Sequence, residues 1–228
     1  ALGSGSEMVE QGIQAIKEVT MTREAKLLLA ASGFRFCAGF SIAIWKAPFI
    51  FNKFPGVAEQ FGGSNAAIVA GGGLLSTLLG GYVSDKLTNP SNPDTIPRAR
   101  AWVPAVGSLL AAPAWAAFIL APTPELTALA LLVEYLVAEC WFGPTLAALF
   151  NVVNTDRKGS AQGLFSVLTA LGNTAPILIG ALAGGNLGDF SLSVVLLGAV
   201  CGCYVLSGGL FWLAALEEEK KISKEWKS

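Results

Sequence analysis

Residues 26–51 read KLLLAASGFRFCAGFSIAIWKAPFIF. A helix needs about 20 apolar residues to cross a hydrocarbon core of ~30 Å, and this run is longer. Between its ends it holds two charges, Arg35 and Lys46. Further runs of the same kind follow at 65–82, 101–121, 126–150, 160–184 and 190–216. They lack the short alternating pattern of barrel strands. They are rich in Gly, Ala and Leu, and several hold Pro, which membrane helices tolerate. Hydrophobic residues make up 53% of the chain and charged residues 14%, against about 25% charged in a soluble domain. The expected fold is an all-α membrane protein with six transmembrane helices.

The gaps between these runs orient them. The segment before the first run and the second and fourth gaps carry Lys17, Arg23, Lys26, Lys86, Arg98, Arg100, Arg157 and Lys158. The tail adds Lys220, Lys221, Lys224 and Lys227, whereas the first, third and fifth gaps hold Lys53 alone. Basic residues in short loops collect on the cytoplasmic side. Both termini are therefore expected in the cytoplasm or its topological equivalent. Residues 1–25 read as a linker with an amphipathic helix, 26–216 as the bundle and 217–228 as a charged cytoplasmic tail. In the linker, Met8, Val9, Ile13, Ile16 and Val19 fall near one helical face, suited to the membrane surface or to the protein's own cytoplasmic side.

Several function classes are disfavoured. A net charge of −1 offers no surface for nucleic acid. There is no histidine, which removes the commonest acid–base group and metal ligand. Cys201 and Cys203 are two apart and point to different helical faces. No catalytic group, metal site or cofactor is expected, and the chain does not read as an enzyme.

Ionisable groups inside a bilayer are costly and face a partner or a water-filled cavity. Four qualify: Arg35 and Lys46 in the first run, Glu134 and Glu139 in the fourth. At 1.5 Å per residue, Arg35 stands about 14 Å and Glu139 about 16 Å above the cytoplasmic edge. Lys46 and Glu134 stand at about 30 Å and about 24 Å. An Arg35–Glu139 pair near the midplane is expected, with Lys46–Glu134 as a looser second pair. Such a centre fixes helix register, or it holds an anionic group and takes up a proton at a glutamate. Lys46 also suits a simple interfacial anchor. Asn173, in the middle of the fifth run, can add a hydrogen bond to a solute or to a neighbouring helix. Small residues line two faces, Gly73-Thr77-Gly81 and Gly172-Pro176-Gly180-Gly184, and let helices approach closely. Pro144, after Trp141-Phe142-Gly143, removes a backbone donor and marks a kink.

The second run ends Gly80-Gly81-Tyr82-Val83-Ser84-Asp85-Lys86. This resembles the Gly-x-x-x-Asp-Arg/Lys loop of the major facilitator superfamily, with Gly81, Asp85 and Lys86 on the matching positions. The later glycine and basic residues of the full motif are replaced by Leu87-Thr88-Asn89-Pro90, as in the second half of such proteins. Arg157-Lys158-Gly159-Ser160-Ala161-Gln162-Gly163 is similar to the pattern that opens their eleventh helix. Trp45-Lys46-Ala47-Pro48, Trp141-Phe142-Gly143-Pro144 and 176–182 resemble spinster-like members, while organophosphate antiporters share a comparable Ser-Asp-Lys loop.

The resemblance implies half of a major facilitator fold, built of two inverted three-helix repeats, 26–121 and 126–216. It implies the C-terminal half, with Arg35, Lys46, Glu134 and Glu139 on the two cavity-lining helices. It also implies Gly81, Asp85, Lys86 and Arg157 as a conformational loop motif. The expected function is secondary transport, by symport or antiport, of a small or amphiphilic organic solute, anionic or lysolipid-like. The expected partners are the lipid bilayer, an N-terminal six-helix half and the solute. The competing expectation is a non-transporting structural subunit of a larger membrane complex.

Overall fold

The computed structural model describes residues 5–88, 98–184 and 191–225, without the side chains of 5–8, 58–60 and 221–225. The start of the linker, the prolines of the second gap (Pro90, Pro93, Pro97), the Gly-rich fifth gap and the end of the tail lie outside the described residues. Among the described residues, six helices are long and apolar enough to cross a membrane: Arg23–Lys53, Phe61–Thr88, Ala99–Leu120, Pro124–Val152, Thr155–Ala183 and Leu192–Lys220. They are the first to sixth spans below. A separate helix, Gly5–Val19, precedes them.

Most spans outrun their apolar runs because capping and charge extend them past the hydrocarbon. The first begins at Arg23, where the hydroxyl of Thr22 accepts the Ala25 N–H at 3.1 Å. Such a cap satisfies one of the orphan donors of a helix start. At the far end, Lys53 Nζ donates to the carbonyls of Ile119 (2.5 Å) and Ala121 (2.7 Å). These carbonyls end the third span, so the one basic residue on that side of the bundle closes a helix C-terminus. The sixth span continues as one helix to Glu225, through the charged tail. There Glu217 meets Arg23 at 3.3 Å, and Glu219 pairs with Arg98. The start of the first span and the end of the sixth therefore lie at one end of the bundle.

Three spans are irregular. The second contains a π turn, Ile68–Gly72. Of the expected face Gly73-Thr77-Gly81, Gly73 and Thr77 meet the fourth span, the Thr77 hydroxyl lying 3.3 Å from Glu139 O, but the closest approaches fall at Gly80 and Gly72. A Cβ on Gly80 would stand 2.5 Å from Cys140 Cβ and 2.7 Å from its backbone, and one on Gly72 would stand 3.3 Å from Leu132 and Tyr135 side chains. Gly81 faces open space. The fourth span runs as α-helix to Ala138, tightens to a 3₁₀ turn over Glu139–Trp141 and resumes at Phe142. The break lies before Pro144, which cannot donate to the carbonyl of Cys140 four residues earlier. The fifth span is interrupted at Asn173 and Thr174, before Pro176. Its small face packs on the first span, for a Cβ on Gly172 would stand 2.5 Å from Phe36 Cβ and one on Gly180 2.9 Å from the Trp45 ring. The four cysteines are free.

Burial is uneven. Half of the most apolar window of the first and third spans is buried against protein, but 22% of that window in the second and fifth. The first, third and sixth spans form the centre, where Trp115 is fully buried and its Nε1–H donates to Leu196 O at 3.2 Å. The second and fifth leave apolar side chains such as Leu74, Leu78, Leu171 and Ile177 exposed. On the N-terminal helix, Val9, Ile13 and Ile16 are exposed while Val19 is buried, so most of its apolar face is not covered by the bundle.

Candidate functional site

The break in the fourth span builds the site. A 3₁₀ turn frees helix carbonyls from their usual partners. Arg35, buried on the first span, reaches across and donates from Nη2 to Ala138 O at 2.9 Å. The same nitrogen stands 3.8 Å from Glu139 Oε1, an ion pair rather than a hydrogen bond. The guanidinium carbon lies 4.7 Å from the Tyr204 ring centroid and 5.3 Å from that of Trp141. Such cation–π contacts stabilise a desolvated guanidinium by about 2 kcal/mol. Nε and Nη1 of Arg35 are buried and make no hydrogen bond.

Glu134 lies deeper. Its carboxylate accepts a hydrogen bond from the Tyr204 hydroxyl, and both side chains are buried. Tyr204 therefore joins Arg35, on its ring, to Glu134, on its hydroxyl. The expected Lys46–Glu134 pair does not form. Lys46 Nζ donates instead to the Tyr135 hydroxyl at 2.8 Å, 4.9 Å from that ring's centroid. Adjacent residues of a helix point about 100° apart, so a cation held by Tyr135 is turned away from Glu134. Nor is Lys46 an interfacial anchor, since it is 6% exposed.

Arg35 and Glu139 stand on the wall of a cavity of about 510 Å³, with Phe36, Phe40, Tyr135 and Trp141 among its other lining residues. Glu134 and Lys46 do not reach it. Thr77 lines it from the second span, and its hydroxyl donates to Gly73 O at 2.9 Å. Asn173 does not join the group. It is exposed at the break of the fifth span, and its amide donates to Thr169 O at 3.2 Å.

The loop-motif residues gather at the end of the bundle where the first span starts and the sixth ends. Asp85 Oδ1 lies 3.7 Å from Arg100 Nη2, which ties the second span to the third. Lys86 Nζ lies 5.9 Å from the Tyr82 ring centroid, and a Cβ on Gly81 would meet nothing within 4 Å. Arg157 makes a bidentate contact with Glu18, from Nε to Oε2 and from Nη2 to Oε1 at 3.1 Å. That contact holds the N-terminal helix on the fifth span. Hydrogen bonds from Gln14 and then Arg157 lower the Glu18 carboxyl below its ordinary pKa.

Tyr204, Tyr135 and Trp141 complete the centre and were not singled out as its partners from sequence. A signal for the tyrosines exists: a buried phenol seeks a hydrogen-bond partner, and Tyr135 and Tyr204 sit inside apolar runs. Chemically, the wall holds a guanidinium whose Nε and Nη1 are buried without partners, and it presents a carboxylate about one-third exposed to a cation or proton. Among the described residues, no group of three potential metal ligands occurs.

Six spans therefore bring charges from the first and fourth onto one cavity wall. No family model matches the chain. Over 207 residues it is 23% identical to an MFS-type efflux pump of Mycolicibacterium smegmatis (strain ATCC 700084 / mc(2)155), covering 87% of this chain and 46% of the pump. A solved structure also matches, a bacterial homologue of the human lysosomal transporter spinster in an inward-facing, unoccupied conformation. That match has a TM-score of 0.59 at 19% identity and covers 95% of this chain and 51% of the other. The chain thus spans about half the length of the relatives it matches. In fold, its six membrane-spanning helices resemble one half of that solved transporter structure.

Proposed function

We propose that the chain is the C-terminal half of a secondary transporter and carries a small or amphiphilic organic solute, anionic or lysolipid-like, by alternating access. The observation that carries this reading is Arg35. A buried guanidinium with two unpartnered nitrogens on a cavity wall is expensive unless an anion visits it. Glu139 beside it takes up a proton or a cation as the solute leaves, and Asn173 lines the path only when the fifth span closes on the cavity. The thinly buried second and fifth spans supply the face for an N-terminal half, and rocking of the two bundles exposes the site to each side in turn. Asp85 and Arg157, held by Arg100 and Glu18, latch one of those states, with Gly81 and Lys86 completing the loop. Both termini face the cytoplasm or its equivalent. The N-terminal helix, with Val9, Ile13 and Ile16 uncovered, lies on the membrane surface.

The test is uptake of candidate anions into proteoliposomes that hold this chain with its complementary half. Arg35→Ala and Glu139→Gln are each expected to lower uptake about tenfold or more, the loss of one charge-assisted contact of ~1.5–3 kcal/mol. Unchanged uptake in both removes them from the mechanism. The competing reading, a structural subunit of a larger complex, has one observation in its favour. Glu134 is already satisfied by Tyr204, as in a cluster that only fixes helix packing. Stable co-purification with other membrane chains, and no flux of any anion, would favour it.

A further inference from the structure

Among the described residues Arg35 has four partners, and three belong to the break in the fourth span: Ala138 O, Glu139 and the Trp141 ring. The remaining partner is the Tyr204 ring of the sixth span. Its centroid lies 4.7 Å from the guanidinium carbon, nearer than that of Trp141. The register of the first and sixth spans brings the two residues level. These helices run antiparallel, and Arg23 meets Glu217 at their shared end. Arg35 comes twelve residues after Arg23 and Tyr204 thirteen before Glu217, so they stand about 18 Å and about 20 Å along the bundle. Tyr204 is 1% exposed and does not line the cavity. It can therefore act on a solute there only through Arg35.

The two ends of Tyr204 have separate partners. The hydroxyl is taken by Glu134, and the ring lies against Arg35. An arginine side chain is long and rich in rotamers. Here Nε and Nη1 have no hydrogen bond to fix them, and the bond from Nη2 to Ala138 O leaves the group free to turn about it. A ring at the guanidinium opposes that turning, because moving off the ring forfeits a cation–π contact that burial strengthens.

We infer that Tyr204 is a positioning residue for the transported solute: its ring, not its hydroxyl, holds the Arg35 guanidinium in the pose that serves the cavity. The inference rests on the transport reading and adds to it a determinant of solute affinity that lies behind the cavity wall. Without the ring, Arg35 spreads over other rotamers, and apparent affinity falls by the fraction left in the competent pose. The loss falls on half-saturation, because a solute that does bind meets the same wall.

The test has two arms. In proteoliposomes that hold this chain with its complementary half, uptake of octyl phosphate is measured against its concentration. Tyr204→Leu should raise the half-saturating concentration about tenfold, ~1.4 kcal/mol, and keep the maximal rate within about twofold of wild type. Tyr204→Phe, which loses the same hydroxyl, should bring half-saturation back to within about twofold of wild type. Tyr204→Met serves as a second ringless variant where the leucine does not fold. The other arm needs no solute. In the full chain labelled with ¹⁵N at arginine Nε, the Arg35 signal is identified by its absence from Arg35→Lys. It should hold its position in Tyr204→Phe and move in Tyr204→Leu or Tyr204→Met, where the ring current is gone. Absent uptake, or uptake indifferent to Arg35→Ala, would remove the transport reading and this inference with it. Uptake that needs Arg35 but keeps its half-saturation without the ring would overturn this inference alone. So would equal weakening by Tyr204→Phe, or an Arg35 signal that ignores the loss of the ring.

Discussion

Glu134 and Glu139 are five residues apart on one span, yet one is sealed and the other open. Glu134 is 2% exposed and bonded to Tyr204, whereas the Glu139 side chain is 35% exposed on the cavity wall. Five residues of regular helix turn a side chain through about 140°, so helical phase alone begins the separation. The 3₁₀ turn completes it, because it starts at Glu139 and carries that residue out of the helix Glu134 belongs to. Two identical groups in one apolar run thus reach different environments through a local change of helix type. The same turn frees the Ala138 carbonyl that anchors Arg35. Arg35 is the hinge of the comparison. Its ring contacts reach Tyr204 and so the sealed side, and its ion pair reaches Glu139 on the open side.

The largest effect is therefore expected at Arg35. Arg35→Ala removes the cation that both carboxylates share and should cost about 3–5 kcal/mol, the range for breaking a buried charged cluster from one side. Chemical unfolding in detergent measures it. A cost below ~1 kcal/mol would mean that the cluster is not coupled. Next comes the sealed side. Tyr204→Phe keeps the ring under Arg35 but strips Glu134 of its donor, at about 1–3 kcal/mol. If the pairing is as described, Glu134→Gln on top of Tyr204→Phe should be non-additive by at least ~0.5 kcal/mol. Simple additivity would separate the two residues.

These residues also show what can be read from the chain itself. The six spans, the side that carries the basic loops, and the depth match of Arg35 with Glu139 all follow from long apolar runs and 1.5 Å per residue. Those quantities survive small errors in helix phase. What failed depends on phase. Lys46 and Glu134 stand at comparable depth, but adjacent positions 134 and 135 diverge by about 100°, and the cation went to Tyr135. On the second span Gly73 and Thr77 do touch the fourth span, but the closest approach falls at Gly80 rather than Gly81, the next residue and about 100° away. Asn173 was placed in mid-helix, where a break instead leaves it exposed. Pro144 marked the break in the fourth span to within a few residues, whereas Pro176, read only as part of a packing face, follows a break in the fifth that was not expected. The side of each helix that they redirect depends on packing with other spans, which no single run encodes.

The smallest effect on stability is expected on the open side, and it bears most directly on the comparison. Glu139→Gln removes a charge that is one-third exposed and lies 3.8 Å from its partner, beyond hydrogen-bonding reach. Arg35 keeps its bond to Ala138 O and both aromatic rings. Solvent screening of such a pair leaves little to lose, so the unfolding free energy should change by no more than about 0.5 kcal/mol. If the exposed carboxylate is the group a solute or proton meets, as proposed, uptake should nevertheless fall. A stability loss as large as that of Tyr204→Phe, with uptake intact, would reverse the assignment: Glu139 would hold the bundle together, and the cavity wall would be a consequence of packing. Loss of uptake at native stability would separate a sealed carboxylate that holds the helices from an open one that works on the solute.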